Sequence, residues 1–440
     1  MAYLPLKEAL VKYAARRTAR FHMPGHKGQL DPLDVTEVSG TDNLQAPREA
    51  ILESEMLAAK SMGAREAFYL VNGSTAGNLC MLYLLGEGNR VLLGRNCHKS
   101  VINGAALAGL DLIPLFPDNN GVFYAEEIDK LLTKAPCKAV FITSPTYRGY
   151  VSDIDAIARV CHEHGSLLLV DAAHGAHFGR STLLPPMPKA ADMWCVSTHK
   201  TLNALTQTAI LLTGEGCPFT RDETQAALNM FQSTSPSYML MLSIEKAALE
   251  SEPWDAHCER IKAFAGRLKS IKGVRVLGGS GDITRLNIAY SGMTGYALGD
   301  FFEARGIVPE MSDMECVTLI TTPSDPDEWY ERLINALKEL EPYADTVHAW
   351  HSFTCGKRVL SVREALMGKR ELVPLFESCG RISAAAVGCY PPGAAVLFPG
   401  EIITEDAIVY LKTELEYGAE LFGVVKSDKG DCPLCQVVRI

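Results

Sequence analysis

Between residues 48 and 213 short apolar runs alternate with helical stretches, and this alternation restricts the chain to a layered α/β fold. Strands are expected over Ala67–Val71, Arg90–Leu93, Leu112–Phe116, Ala139–Thr143, Leu167–Val170, Met193–Val196 and Ala209–Thr213. The runs are apolar throughout rather than at every second residue, as strands covered on both faces must be. Helices are expected over 48–62 and Ile154–His164, with two more opening at Asn72 and Asn96. Short strands bounded by helices and Gly/Pro turns give a largely parallel sheet between two helical layers. Ligands on such sheets sit at the carboxyl ends of the strands. The polar clusters of this stretch fall at those ends.

At 440 residues the chain exceeds one compact core. Four segments are expected: an N-terminal helix and arm (1–30), a large domain (31–260), a small α/β domain (261–345) and a C-terminal domain (346–440). Leu6, Leu10, Val11 and Tyr13 recur at helical spacing, so residues 5–20 read as a helix, followed by the turn-rich arm Phe21-His-Met-Pro-Gly-His-Lys-Gly28. That arm is either solvated, or a lid or intersubunit arm. A long helix is expected over 236–270, broken near Pro253. Beyond it lie strands at Val274–Leu277, Arg285–Ala289 and Cys316–Thr321, and helices at Tyr296–Arg305 and Asp325–Leu340.

A net charge of -10 and the absence of a basic run with interleaved aromatics argue against nucleic-acid binding. No apolar stretch is long enough to span a bilayer, and Met1–Glu8 lacks a signal-peptide core, so a cytoplasmic location is expected. The 13 cysteines are scattered and suit reduced core thiols. Cys432-Pro-Leu-Cys435 is a single CxxC, too few ligands for a zinc site.

Four features carry chemistry. Lys200 sits in Ser197-Thr-His-Lys-Thr201, among hydrogen-bonding and non-acidic neighbours, where a lysine loses its proton more easily and forms a Schiff base. A surface lysine in a polar turn is the plain alternative. Asn72-Gly-Ser-Thr-Ala-Gly-Asn78 follows a strand and opens a helix, with Ser74 and Thr75 beside unpaired N–H groups that favour an anion. The same hydroxyls could do no more than cap the helix. Asp171 ends a buried strand and would keep a facing heteroaromatic ring nitrogen protonated, or cap a turn. His98, at a helix start, would stack flat on an aromatic cofactor, or serve as a cap. His174 and His177 have the spacing of one helical face, but a third metal ligand is missing, and a metal ranks below a cofactor contact. Phosphate anchor, stacking histidine, ring-nitrogen acid and Schiff-base lysine are together the needs of pyridoxal 5'-phosphate.

The chain resembles the fold-type-I Orn/Lys/Arg decarboxylases, in particular short bacterial forms without an N-terminal receiver-like wing domain. Matching runs are Phe21-His-Met-Pro-Gly-His-Lys27, Asp34-Val-Thr-Glu37, Asn72-Gly-Ser-Thr75, Arg95-Asn-Cys-His-Lys-Ser100, Ser144-Pro-Thr-Tyr147, Ala173-His-Gly-Ala-His177 and Ser197–Leu202. Gln232–Tyr238 and Tyr390-Pro-Pro-Gly393 with Pro399-Gly-Glu401 extend the likeness over nearly the whole chain. The resemblance implies the pyridoxal-phosphate-dependent transferase fold, a mostly parallel seven-stranded sheet flanked by helices with smaller α/β C-terminal domains. It implies Lys200 as the Schiff-base lysine, Asp171 as the ring-nitrogen partner and His98 as the stacking residue. Ser74, Thr75, Ser197 and His199 become phosphate-side contacts, and His174 a neighbour of the ring. Ser233, Thr234 and Ser235 would reach the phosphate of a neighbouring subunit's cofactor, making a homodimer the minimal active unit, with further assembly open.

The implied activity is decarboxylation of arginine, lysine or ornithine to a polyamine-pathway amine, with Lys200 or His199 returning a proton to Cα. Glu310 and Asp313 are the candidate acids for the cationic end of the substrate, beside the plainer reading of solvated loop acids. Two other readings stand: an aminotransferase or other lyase on this fold, with Arg285 clamping a carboxylate, and a cofactor-binding protein without turnover. Departures from the family pattern give the last some weight. Gly40-Thr-Asp replaces Gly-Leu-Asp, Asp171-Ala-Ala-His replaces Asp-Glu-Ala-His, and Ser383-Ala-Ala-Ala386 lacks a glutamate.

Overall fold

The computed structural model describes residues 2–16, 18–278, 281–341, 353–390, 393–426 and 432–439. It divides into two compact units. The first comprises Met1–Gly86, Val122–Pro145 and Val151–Asp255; the second comprises Glu87–Gly121, Thr146–Tyr150 and Ala256–Ile440.

Seven strands build the main sheet: β1 (Glu66–Leu70), β2 (Arg90–Gly94), β3 (Asp111–Leu115), β4 (Ala139–Thr143), β5 (Leu167–Asp171), β6 (Met193–Val196) and β7 (Ala209–Thr213). Their order is β1-β7-β6-β5-β4-β2-β3. The pairs β2–β3, β4–β5 and β5–β6 are parallel, whereas β7 runs against both β1 and β6. This is the expected mostly parallel sheet of the fold-type-I pyridoxal phosphate enzymes. The register sets Asp171 beside Thr143 of β4 and Cys195 of β6, at the carboxyl edge.

The helices are α1 (Pro5–Ala15), α2 (Ala50–Met62), α3 (Gly73–Tyr83), α4 (Lys99–Ala108), α5 (Ala125–Lys134), α6 (Ile154–Glu163), α7 (Thr198–Thr201), α8 (Arg221–Asn229), α9 (Tyr238–Leu249) and α10 (Trp254–Lys269), then α11 (Gly295–Glu303), α12 (Asp327–Lys338), α13 (Val362–Met367) and α14 (Glu405–Glu416). The expected helix over 5–20 ends at Ala15. Tyr13 is its last buried side chain, and Arg16, Thr18 and Ala19 are exposed, so no apolar face remains to hold another turn. Its start is held from α9, where Glu245 accepts from the N–H groups of Leu6 (2.7 Å) and Lys7 (2.9 Å). The expected break near Pro253 is present between α9 and α10.

β1 is an edge strand, and its backbone is closed by side chains. Glu55 of α2 accepts from Tyr69 N–H (2.9 Å), and Gln232 accepts from Val71 N–H (2.9 Å). Burial of Glu55 outweighs its ion pair with Arg221 and pushes its carboxyl up to about 7.

In the second unit, β8 (Val274–Leu277), β9 (Arg285–Tyr290), β10 (Met311–Ser312) and β11 (Val317–Ile320) pair antiparallel in the order β10-β11-β9-β8. Phe264, Leu268, Leu298, Phe302 and Leu337 pack with Ile288 of that sheet. The C-terminal part adds β12 (Arg370–Pro374), β13 (Val387–Tyr390), β14 (Ala395–Leu397), β15 (Glu420–Phe422), β16 (Val424–Val425) and β17 (Leu434–Val438), in two three-stranded sheets. Cys435 is a buried residue of β17 and Cys432 is half-buried before it. Among the described residues no helix is long and apolar enough to cross a membrane.

Candidate active site

Asp171 is the last residue of β5 and is 3% exposed. Its Oδ1 accepts from Ala173 N–H (3.1 Å), and its Oδ2 accepts from the Asn78 side-chain amide (2.9 Å). After β5 the chain stays beside β6: Ala172 N–H donates to Cys195 O (2.9 Å), and Ser197 N–H to Ala173 O (3.2 Å). These two bonds bring the segment after Asp171 alongside the turn that carries the lysine.

Lys200 lies on α7, a single helical turn directly after β6. Its Nζ is 2.9 Å from Nε2 of His174, which is 4% exposed. The neighbouring His199 is fixed by Thr208, whose carbonyl lies 2.8 Å from Nδ1. A carbonyl only accepts, so Nδ1 carries the proton. Thr198 and Thr208 bond through their hydroxyls (2.7 Å), tying α7 to the start of β7.

Residues 172–177 are turns, so the helical face expected for His174 and His177 does not exist; Gly175 closes a turn onto Ala172 (2.8 Å). His177 is fully buried and packs its ring against Phe178 and Trp254, each centroid 5.0 Å away. It is a packing histidine, whereas His174 meets Lys200.

The residues expected on the phosphate side are Ser74, Thr75, Ser197 and His199, the last already held at Nδ1 by Thr208. Ser74 and Thr75 occupy the first turn of α3, half-buried and exposed respectively, and Asn72 is the cap residue without a capping side-chain bond. Ser197 Oγ and Thr201 Oγ1 are buried with no hydrogen-bond partner among the described residues. A buried hydroxyl left unsatisfied costs about 1–3 kcal/mol, which a ligand offering acceptor oxygens would relieve. The donor set therefore fits pyridoxal phosphate: orphaned hydroxyls for the phosphate, Asp171 for the ring nitrogen and Lys200 for the carbonyl carbon. Ser233, Thr234 and Ser235 are exposed, and Ser233 N–H reaches Asn72 Oδ1 (3.2 Å).

Burial, with Asp171 and Cys80 adding to it, holds the Cys195 thiol well above its ordinary value despite Lys200. It stays a neutral packing group beside Asp171.

The remaining candidates belong to the second unit. His98 caps α4, accepting from Ser100 N–H at Nδ1 (3.2 Å), and it bridges antiparallel to Ala394. Gly393 has φ +79, and a Cβ there would stand 3.6 Å from His98 Cδ2. Asp313 is bound on both oxygens. Oδ2 takes Arg148 Nε (3.1 Å) and Nη2 (2.5 Å), while Oδ1 takes the N–H groups of Glu315 (2.8 Å) and Cys316 (3.0 Å). Glu310 is exposed, and its carboxylate accepts from Tyr147 OH (2.9 Å). It lines a cavity of about 530 Å³ with Val308, Leu319 and Trp329. Burial, reinforced by Glu310, raises the Tyr147 phenol. Arg285 is buried, with Nη1 3.8 Å from Asp282 Oδ2. Asn78 and Tyr147 had no assigned role in the sequence reading. A polar residue at a helix position facing the sheet was the available signal for Asn78.

The Orn/Lys/Arg decarboxylase major-domain model matches residues 29–260, and the C-terminal domain model of the same family matches 358–430. The chain is 32% identical to an arginine decarboxylase of Bacillus subtilis, covering 95% of both chains. It is 29% identical to an arginine decarboxylase of Bacillus anthracis, covering 95% of this chain and 94% of that one. Among solved structures, lysine decarboxylase A from Pseudomonas aeruginosa superposes with a TM-score of 0.83 at 19% identity, over 99% of this chain and 80% of that one. The chain belongs to the Orn/Lys/Arg decarboxylase family, whose members are pyridoxal-phosphate-dependent decarboxylases of fold type I.

Proposed function

We propose that the protein decarboxylates a basic amino acid, arginine foremost, and releases a polyamine-pathway amine and CO2. In sequence, the relatives named arginine decarboxylase align over at least 90% of this chain, whereas the lysine decarboxylases of Escherichia coli and Pseudomonas aeruginosa align over 56% of it, which supports that order. The observation carrying the reading is the Lys200–His174 contact at 2.9 Å, on the same sheet edge as Asp171. Bound pyridoxal phosphate supplies the electron sink for the bond that breaks. Lys200 is the amine that carries it, and His174 exchanges a proton with Lys200 Nζ. His199, whose Nδ1–H is held by the Thr208 carbonyl, is the second group able to return a proton to Cα, from Nε2 when the ring is in its imidazolium form. Ser74, Thr75 and Ser197 hold the phosphate, and His98 stacks on the ring. Glu310, rather than Asp313, receives the cationic end of the substrate, because Arg148 already occupies Asp313.

The active unit is a homodimer in the cytoplasm. Phe21, 96% exposed on the N-terminal arm, and the exposed Ser233–Ser235 segment are the surfaces that a second copy would cover. The aminotransferase reading is weaker, since Arg285 faces Asp282 rather than standing ready for a carboxylate.

The test is release of labelled CO2 from carboxyl-labelled arginine, lysine and ornithine. Wild type is expected to release it from at least one, and Lys200→Ala from none. Keto-acid product, or undiminished release by Lys200→Ala, would overturn the reading.

A further inference from the structure

Asp171 has two carboxylate oxygens, and each is taken by one neutral donor. Ala173 N–H comes from the chain just beyond the strand. The Asn78 amide comes from α3, 93 residues away in sequence. Asn78 is 1% exposed, so no water substitutes for this bond without opening the helix–sheet contact. With both oxygens held, rotation of the carboxylate about its Cβ–Cγ bond is stopped. Because both donors are neutral, the carboxylate keeps its full charge for a third partner.

The reach of Asn78 depends on its neighbour. A Cβ at Gly77 would fall 2.5 Å from Cys195 Sγ and 3.0 Å from Leu70 Cδ1. Only glycine lets α3 approach β1 and β6 this closely, and that approach brings the Asn78 amide to Asp171. A single segment thus serves both ends of one ligand. Its first turn carries Ser74 and Thr75, and its second face carries Asn78.

We propose that Asn78, seated by Gly77, is a positioning residue that fixes the Asp171 carboxylate for the ring nitrogen of pyridoxal phosphate. The inference rests on the cofactor reading of Asp171. It predicts that Asn78 matters only for a ligand that has that nitrogen. Two ligands separate this from a packing role: pyridoxal phosphate, and its 1-deaza analogue with a ring CH in place of the nitrogen.

The experiment titrates the full-length apoprotein with each ligand and follows binding by absorbance and fluorescence. Wild type is expected to prefer the nitrogen ring. Asn78→Ala is expected to lose about tenfold of that preference, with its affinity for the carbon ring unchanged. Asn78→Leu, close in size but without the donor, is expected to lose about as much, and it carries the test if Asn78→Ala does not fold. Gly77→Ala is expected to shift the preference in the same direction. Equal losses for both ligands, or an unchanged preference in either Asn78 variant, would overturn the proposal. So would a wild-type protein that binds both rings equally, with no variant needed. Binding of neither ring by wild type would instead overturn the cofactor reading itself.

Discussion

Asp171 in the first unit and Asp313 in the second both have hydrogen bonds on each carboxylate oxygen, yet their surroundings assign them opposite duties. Among the described residues Asp171 meets two neutral donors, a backbone N–H and the Asn78 amide. Asp313 meets a guanidinium in two places, at 3.1 and 2.5 Å, as well as two backbone N–H groups. A carboxylate oriented by neutral donors retains a charge to act on a ligand. One paired with arginine has its charge answered and holds a loop in place. On the proposed function, what separates a working acid from a structural one here is the charge of its partner, more than its burial or its number of bonds.

The largest expected effect tests that contrast directly. Asp171→Ala should lower kcat by roughly 10²–10³-fold, the usual loss when a preorganised electrostatic partner is removed, alongside about 1–3 kcal/mol of stability from the Asn78 amide left without its acceptor. Asp313→Ala should differ from it in kcat. It removes the two-bond partner of the Arg148 guanidinium and should cost about 1–3 kcal/mol of stability, with kcat retained. Parallel steady-state and thermal-melt measurements read both. A folded Asp313→Ala protein that has lost kcat would erase the distinction.

Glu55 sharpens the comparison from a third direction. It has a guanidinium partner, as Asp313 does, but burial dominates and raises its carboxyl from an ordinary 4.5 to about 7. The folded protein therefore holds a proton that the unfolded chain releases between those pH values. This contribution to stability should be full below about pH 4.5 and fall as pH rises toward 7, by on the order of 3 kcal/mol if the shift is fully expressed. Burial raises Glu245 as well, adding a slope of the same sign. Urea midpoints from pH 4.5 to 7.5 in wild type and Glu55→Gln would measure it. The variant should show the shallower dependence, and parallel curves would show that Arg221 keeps Glu55 charged throughout.

Much of this was legible in the sequence because it depended on local pattern. Lys200 and Asp171 are polar residues at the ends of wholly apolar strands, and the Ser/Thr-rich neighbours of Lys200 needed no tertiary knowledge. Helix ends were less legible. Nothing in Arg16–Arg20 stops a helix; the stop comes from the lack of anything to bury. The Thr220–Glu223 capping box that opens α8 was readable and passed over, though its T-x-x-E pattern stands in the sequence. The spacing of His174 and His177 suggested a helix where turns occur, since i, i+3 fits either. The C-terminal sheets pair β12 with β17 across more than 50 residues in short strands without alternation, which no window along the chain detects. The different fates of Glu310 and Asp313 were hidden for the same reason, because Arg148 lies 165 residues before Asp313.

That hidden difference also gives the smallest effect worth measuring. The Glu310 carboxylate accepts from a phenol and borders a cavity lined by Val308, Leu319 and Trp329. A neutral hydroxyl orients the carboxylate and leaves its charge unanswered, which puts Glu310 with Asp171 rather than with its own loop neighbour Asp313. If it receives the cationic end of the substrate, Glu310→Gln should raise KM for the basic amino acid roughly tenfold and leave kcat within about twofold, because that end is bound equally before and during bond breaking. Raising the salt concentration should weaken wild-type binding and have less effect on the variant, since the attraction that salt screens has been removed. Tyr147→Phe, which frees the carboxylate without discharging it, should move KM in the same direction by about threefold. A Glu310→Gln protein whose KM is unchanged would return Glu310 to the class of solvated loop acids, and would leave neutral partnership as a condition for a working carboxylate that is necessary without being sufficient.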